Sequence, residues 1–253
     1  MSNPVLNENF VSTERILDSE PMSINGAVNK TAVLLGLAVI TAAYSWSMVL
    51  HGFTDKAMML MWAGAIGGFI AALIGIFSTA GAMRSGTAPK AIVWAAPVYA
   101  LFEGLFLGTI SSVVEAQYQG IVIQAVAATF AVLFVMLALF KSGAVKATDT
   151  FRRVIFTATL SVALIYLIQI IATHFVGHGI PQIFTASPIG IGFSLVVIAI
   201  AAFNFIIDFD FIERAAANLL PKNYEWYGAM GLMITLVWLY IEILRLLLKL
   251  NRR

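Results

Sequence analysis

The side chains best suited to chemistry in this sequence are polar groups that end a long apolar run. Residues 187–227 read SPIGIGFSLVVIAIAAFNFIIDFDFIERAAANLLPKNYEWY, which places Asn204, Asp208, Asp210 and Glu213 in the last turns of a helix of membrane length. A carboxylate in a membrane is costly unless it faces water, a partner or an ion. This stretch is therefore a candidate for an ion pathway or a proton-sensing site.

Helical geometry divides these polar groups into two sets. Asn204 and Asp208 are four residues apart and share one helix face, whereas Asp210 is rotated by about 200° from Asp208. Asp210 shares its side of the helix with Glu213 instead. We predict that Asp208 points back along the membrane-facing turns. Asp210 is expected at the inner mouth, where it either serves the ion pathway or balances nearby positive charges.

Two other apolar stretches also carry charged residues. Glu103 lies in the run PVYALFEGLFLGTISS with no other charge for several turns on either side. It is either part of an ion pathway or a hydrogen-bonded acid that fixes helix packing. Glu242 and Arg245 are three residues apart and share a helix face. They form a local ion pair, or else Arg245 neutralises Glu103 or an acid of the sixth apolar stretch.

The composition of the chain identifies an integral membrane protein. Of the 253 residues, 60% are hydrophobic and 11% are charged, whereas a soluble domain has about 25% charged residues. The net charge of +2 and the lack of a basic cluster with interleaved aromatic residues argue against nucleic acid as a partner. The chain contains no cysteine, which excludes disulfides and thiolate metal sites.

Seven stretches are long enough to cross a membrane, which takes about 20 mostly apolar residues. They lie near residues 31–50, 57–79, 91–113, 119–140, 154–175, 187–207 and 226–248. The fold class predicted is an all-α bundle of seven transmembrane helices. Residues 30–253 would form a single transmembrane domain, and the polar residues 1–29 a flexible cytoplasmic tail.

The distribution of lysine and arginine predicts the orientation in the membrane. Positive charges concentrate in alternate connections, at 80–90, 141–153 and 208–225, while 114–118 and 174–186 carry no Lys or Arg. This pattern places the amino terminus in the cytoplasm. Basic residues at the end of the chain run against the pattern if the seventh helix crosses fully, as we expect. They are Arg245, Lys249, Arg252 and Arg253.

The last two apolar stretches resemble the end of the Bax inhibitor family, the transmembrane Bax-inhibitor-motif proteins. The resemblance rests on FNFIIDFDFIE and on EWYGAMGLMITLVWLYIEILRLL, and the opening SNPVLNENF is similar to the bacterial branch. It implies a seven-helix bundle with a central last helix and a pH-sensitive calcium leak. The family's sixth-helix aspartate and the isoleucine four residues later match Asp208 and Ile212, and its last-helix arginine matches Arg245.

The sequence departs from the family pattern at one position. The better-studied members pair the sixth-helix aspartate with a second aspartate in the last helix, ten residues before the arginine. This chain has Thr235 there. Two acids that share a proton are therefore absent in the usual form. Glu242 lies about 10 Å further along the helix, so Glu103 is the better candidate for a replacement.

These observations lead to two functional hypotheses. The first is a passive, pH-sensitive leak for calcium, protons or other cations, in which Asp208 and Glu103 bind the ion transiently and Arg245 is the counter-charge. The alternative is a non-conducting regulatory protein that binds a membrane protease or other membrane proteins. It is motivated by Thr235 and by small-residue faces such as Gly104-xxx-Gly108.

We expect no enzymatic activity, because the chain has no HExxH or GxSxG motif and no pair of aspartates on two separate helices. No cofactor is expected, and calcium would enter only as a permeant ion. The expected partners are the lipid bilayer and, under the alternative hypothesis, another membrane protein. The expected location is the bacterial cytoplasmic membrane.

Overall fold

A computed structural model describes residues 20–176 and 181–252 of the chain. Most of the predicted tail, residues 1–19, lies outside the described residues. The described part is all-α and contains seven helices that are long and apolar enough to cross a membrane. These helices are α1 Ile24–Leu50, α2 Thr54–Ser85, α3 Ile92–Gln117, α4 Ile121–Lys141, α5 Asp149–Ile171, α6 Pro188–Ala217 and α7 Tyr224–Asn251. A π-helical turn, Ala172–Val176, extends α5, and a short helix, Pro181–Phe184, precedes α6.

The seven helices coincide with the seven predicted spans, with differences at the ends. The first helix begins at Ile24, so residues 24–29 belong to it rather than to the predicted tail. The sixth helix continues to Ala217, ten residues beyond the predicted end of the apolar run. Asp208 and Asp210 therefore lie on a regular helix, so the two side chains point to different helix faces.

Local sequence explains where several helices begin and end. The Ser23 side chain accepts a hydrogen bond from the Gly26 N–H at the start of α1, and Thr148 does the same for Phe151 at the start of α5. These contacts satisfy amide groups that have no partner within the helix. The α2 helix ends at Gly86, whose φ of 63° favours glycine.

The chain divides into two compact units. Among the described residues, unit one comprises 20–113 and 211–233, and unit two comprises 114–176, 181–210 and 234–252. Unit one thus contains α1, α2, most of α3, the end of α6 and the start of α7. Unit two contains α4, α5, most of α6 and the remainder of α7, which carry most of the candidate site.

Glycine allows close helix packing in unit one. A Cβ atom added at Gly104 would overlap with Thr41 Oγ1 and the Ala38 carbonyl of α1, and one added at Gly108 would overlap with the Ala42 carbonyl. The α1 backbone therefore packs directly against these glycines, which is the usual role of small residues between membrane helices. The Gly104-xxx-Gly108 face is occupied within the chain.

The last helix is more buried than any of the other six membrane-length helices. Its inward side chains include Met233, Leu239 and Leu244, each almost fully covered. The predicted all-α fold with seven membrane-length helices is confirmed. Polar side chains on α7, above all Thr235 and Glu242, consequently find their partners inside the protein.

Candidate functional site

Asp208 meets the residue that stands in place of the missing aspartate. Thr235 on α7 donates its hydroxyl proton to Asp208 Oδ2 on α6, with an oxygen–oxygen distance of 2.7 Å. Thr235 is only 6% exposed, and Asp208 is half-buried. The position that carries a second acid in the resembling proteins thus still faces the sixth-helix aspartate, but with a neutral donor. Within the described chain, Asp208 forms no ion pair.

Asn204 shares a helix face with Asp208 but has different partners. Its side-chain amide donates to Thr159 Oγ1 on α5 at 3.0 Å and to the Ile200 carbonyl at 2.9 Å. Asp208, in contrast, is bound by α7. The shared face therefore does not bring the two side chains to one partner. Asn204 ties α6 to α5, and Asp208 ties α6 to α7.

Asp210 contacts the basic end of α5 and therefore has a different partner from Asp208. Arg152 Nη2 donates to Asp210 Oδ2 at 2.5 Å, and both side chains are largely covered. Arg152 also approaches Asp149, at 3.8 Å. Asp210 thus balances a positive charge of the 141–153 connection. This is a local electrostatic contact, distinct from the contact between Asp208 and α7.

Glu242 and Arg245 form the local ion pair, one of the two arrangements that their spacing allows. Arg245 Nη1 donates to both carboxylate oxygens of Glu242, at 2.9 and 3.1 Å. Tyr166 on α5 completes the cluster: its hydroxyl donates to Glu242 Oε1 at 2.7 Å and accepts from Arg245 at 2.6 Å. The guanidinium also lies 4.7 Å from the centre of the Tyr166 ring.

This cluster corrects the expected role of Arg245 as the counter-charge of Asp208. Arg245 is held by Glu242, whose side chain is 1% exposed, and by Tyr166. Burial of the Glu242 carboxylate without a cation would be very costly. Arg245 lies one turn away on the same helix and supplies that cation. Sequence analysis did not identify Tyr166, because its partners lie more than 70 positions away in the chain.

The positive charges at the carboxyl end of α7 are accommodated inside unit two. Lys249, only 4% exposed, donates to the carbonyls of Ile183 and Gly190 and to the Ser194 hydroxyl, at 3.0, 2.8 and 2.9 Å. Arg245 is neutralised by Glu242. Two of the four basic residues that run against the predicted orientation are thus bound by the protein itself, and they need not be read as topology signals.

Glu103 in unit one has a hydrogen-bond partner but no cation among the described residues. The Tyr99 hydroxyl, one turn earlier on α3, donates to the Glu103 carboxyl group. The other oxygen, Oε2, is buried and has no hydrogen-bond partner in the described chain. Glu103 also lies against Gly68 of α2, where an added Cβ would be 3.4 Å from Oε1. The site is a carboxyl group with one unused acceptor.

The comparison with protein families decides the relationship of the chain. A family model described as Bax inhibitor 1 like matches residues 3–252. The chain belongs to this family. No curated protein and no solved structure matches it. The resemblance found in the last two helices therefore extends over essentially the whole sequence, and the chain is an integral membrane protein of the Bax inhibitor 1 like family.

One polar cluster of this family member was missed by sequence analysis. Glu225, at the start of α7, is 1% exposed and forms an ion pair with Lys30 of α1. Its Oε1 also accepts from the Ser23 amide at 2.9 Å and from the Ser23 hydroxyl at 3.1 Å. Gly26 leaves the space for this carboxylate, since an added Cβ would overlap with it. In the sequence Glu225 lies in the polar connection before the last apolar stretch, and nothing in that pattern indicates that its side chain is buried.

The segment before α1 is paired with the connection between α6 and α7. The Met22 amide donates to the Leu220 carbonyl at 2.7 Å, and the Lys222 amide donates to the Glu20 carbonyl at 2.9 Å. The side chains of Lys222 and Glu20 also form an ion pair. Residues 20–23 are thus a fixed part of unit one rather than the end of a flexible tail.

No preformed multidentate metal site occurs in the described ranges 20–176 and 181–252, where no group of three or more His, Cys, Asp or Glu side chains could hold an ion. Asp208 and Glu103 would each offer a cation a single carboxylate. Calcium takes six to eight oxygen ligands. Water or main-chain carbonyls would have to supply the remainder, which suits brief occupancy rather than storage.

Proposed function

We propose that this membrane protein is a passive, pH-sensitive pathway for calcium or other cations, including protons, and that Asp208 is the group that the ion or proton occupies. The observation that carries the proposal is the contact between Asp208 and Thr235. It joins an acid within a membrane span to a neutral hydroxyl. In the described chain no arginine or lysine forms an ion pair with Asp208.

The chemistry of this contact suits reversible ion binding. A carboxylate within a span needs a compensating charge. Glu242 has a built-in cation, Arg245, whereas Asp208 has one hydrogen bond to Oδ2. A passing cation or a proton can supply the compensation, and both would use the same oxygens. Competition between them makes occupancy by the cation depend on pH.

Glu103 is proposed as a second acid that exchanges ions or protons. Its Oε2 atom is buried and has no hydrogen-bond partner in the described chain. The neutral carboxylic acid would lower the cost of that burial, and so would a cation. Tyr99 holds the group in place through its hydroxyl. Asp208 is the main ion-binding residue of the proposal, and a separate variant tests the role of Glu103.

Calcium uptake into liposomes tests the proposal. Purified wild-type protein is reconstituted into liposomes that contain a calcium-sensitive dye, and the initial uptake rate is compared with that of protein-free liposomes. Asp208→Asn keeps the size of the side chain and removes the charge, so its uptake should fall to the protein-free rate. Glu103→Gln should reduce uptake. Asp149→Asn is the matched control, because Asp149 is an exposed acid at the start of α5.

Wild-type uptake at the protein-free rate would overturn the proposed pathway. Uptake by Asp208→Asn at the wild-type rate would refute the assignment of Asp208. Loss of uptake in Asp149→Asn as well would show a general effect of surface charge. The Gly104-xxx-Gly108 face gives less support to the regulatory alternative, because α1 of the same chain packs against it where a protein partner would have to bind.

The proposed orientation has the amino terminus in the cytoplasm and the carboxyl terminus on the opposite side, in a bacterial cytoplasmic membrane. Support comes from the positive charges in alternate connections. Seven membrane-length helices in the described chain place the two ends on opposite sides when all of them cross. Reporter fusions at both ends test this directly, and activity of both reporters on one side would contradict it.

A further inference from the structure

A cavity opens at the basic end of helices α5 and α6 in unit two. It has a volume of about 360 Å³. It is lined by Arg152, Arg153, Phe156, Thr159, Asn204 and Ile207. The surface of the cavity is predominantly apolar, and two of the residues that line it are arginines. None of its lining residues binds to Asp208 in the structure.

The two arginines differ in how far the protein neutralises them. Arg152 pairs with Asp210, yet its Nε atom is buried and has no hydrogen-bond partner in the described chain. Arg153 is exposed and forms no ion pair within the described ranges. An unused buried donor is costly, and an acceptor brought by an occupant of the cavity would relieve that cost. Guanidinium groups bind phosphate oxygens in a planar, bidentate manner.

The surrounding charge also favours an anion. The connection between α4 and α5 and its flanks carry four basic residues, at positions 141, 146, 152 and 153. Against them stand Asp149, which is 89% exposed at its side chain, Asp210, and Asp208, which follows the lining residue Ile207. The region therefore retains an excess of positive charge at the end of two membrane helices. Basic pockets between membrane helices suit the headgroups of anionic lipids.

The apolar surface next to the cavity indicates a lipid rather than a free ion. Along α5, the side chains of Val154, Phe156 and Leu160 are 58%, 67% and 51% exposed. In a membrane-spanning helix these exposed side chains face acyl chains. Phe156 belongs to both surfaces, since it also lines the cavity. A phosphate in the cavity would thus be continuous with a path for its hydrocarbon tails.

We propose that this cavity binds the phosphate headgroup of an anionic phospholipid, with Arg153 as the main contact, Arg152 as the second donor and the exposed apolar face of α5 as the support for the acyl chains. This proposal involves other side chains than Asp208 and does not depend on the proposed ion conduction. Since Arg152 also binds Asp210 of α6, a bound headgroup would join α5 and α6.

Retention of lipid by the full-length protein tests this site. The protein is placed in mixed micelles of phosphatidylglycerol and phosphatidylcholine, and native mass spectrometry counts the lipids that remain bound. Arg153→Gln should reduce retained phosphatidylglycerol about fivefold, the effect of one basic residue near a membrane surface, and leave phosphatidylcholine unchanged. The matched control is Arg84→Gln, which removes an exposed arginine at the end of α2.

A second variant tests shape rather than charge. Ile207→Trp fills part of the cavity without altering any charged group, and it should also reduce retained phosphatidylglycerol. Equal retention by Arg153→Gln and Arg84→Gln would overturn the proposal. So would unchanged retention by Ile207→Trp. Displacement of the lipid by inorganic phosphate alone would show a free-anion site instead of a lipid site.

Discussion

Two acids in unit two, Glu242 on α7 and Asp208 on α6, are compensated in opposite ways. Glu242 is 1% exposed and is neutralised by Arg245, with Tyr166 bridging the two groups. Asp208 is half-buried and has a hydrogen bond from Thr235 in place of a cation. Glu242 therefore links helices through a permanent ion pair, whereas the charge of Asp208 can be compensated by an exchangeable ion or proton.

The same contrast recurs in unit one. Glu225 has Lys30 as a cation and Ser23 as a second donor. Glu103 has a tyrosine hydroxyl, and its Oε2 atom has no partner in the described chain. Each unit therefore contains buried or half-buried acids of both kinds, neutralised internally or not. Removal of the charge should destabilise the protein at the paired acids Glu225 and Glu242. At Asp208 and Glu103, which have no cation in the described chain, it should leave stability nearly unchanged.

The largest stability effect is expected at Glu242. Glu242→Gln leaves Arg245 without its anion, and breaking a largely buried pair of this kind should lower the free energy of unfolding by about 3 kcal/mol. Asp208→Asn should change it by less than about 1 kcal/mol, because the Thr235 hydroxyl still has an acceptor. Reversible unfolding in mixed detergent micelles measures both. An equal loss in the two variants would erase the distinction between the acids.

A smaller loss is expected at the paired acid of unit one. Gly26→Ala would force the Glu225 carboxylate away from Ser23 and Lys30, so the free energy of unfolding should fall by about 2 kcal/mol. Gly36→Ala on the same helix is the matched control, because nothing lies within 4 Å of its added Cβ. The same unfolding assay compares them. Wild-type stability in Gly26→Ala would mean that this ion pair does not stabilise the fold.

Loss of the hydrogen bond between Thr235 and Asp208 should lower the free energy of unfolding by about 1 kcal/mol. Thr235→Val keeps the shape of the side chain and removes the only hydroxyl donated to Asp208 in the described chain. One neutral hydrogen bond contributes about this much. Thr235→Ser keeps the hydroxyl and should lie closer to the wild type in unfolding free energy. Calcium uptake by Thr235→Val should persist, since the carboxylate remains; complete loss of uptake would assign the ion site to Thr235 as well.

The smallest effect is expected at the exposed ion pair of Glu20 and Lys222. The hydrogen bond and charge of Lys222 hold the pKa of Glu20 below its usual value, and Glu20 raises the pKa of Lys222. The contribution of Glu20 to stability is therefore present above the unfolded-state pKa and is lost as the pH falls through the folded-state pKa. The contribution of Lys222 is lost as the pH rises through its own raised pKa.

Thermal unfolding in acidic and neutral buffers checks this pair. Glu20→Gln should remove only the acid-side part of the pH dependence, and added salt should weaken the effect in the wild type. An unchanged pH profile in Glu20→Gln would show that residues 20–23 are held by their backbone hydrogen bonds with Met22 and Lys222 alone.

The helices and the family relationship were predictable from the sequence, because both depend on local patterns. Runs of about 20 apolar residues identified all seven spans, and the period of the helix separated Asp208 from Asp210 correctly. The spacing of Glu242 and Arg245 predicts two possible arrangements, and one of them is the ion pair that the structure shows.

The partners of these residues across the fold were not predictable. The contacts of Thr235 with Asp208, Tyr166 with Glu242 and Lys30 with Glu225 join residues that are 27, 76 and 195 positions apart. Periodicity shows which face a side chain occupies, but not which helix packs against that face. For this reason the sequence predicts the loss of a partner at Thr235, whereas Thr235 is a partner of a different kind.

The pH dependence of calcium uptake tests the central claim most directly. Uptake by wild-type protein and by Asp208→Asn is measured in liposomes at acidic, neutral and alkaline pH, with Asp149→Asn as the control. Protons and calcium compete for the Asp208 oxygens, so wild-type uptake should slow as the pH falls, while Asp208→Asn should show no uptake above protein-free liposomes at any pH. A pH-dependent uptake in Asp208→Asn equal to that of the wild type would contradict the account.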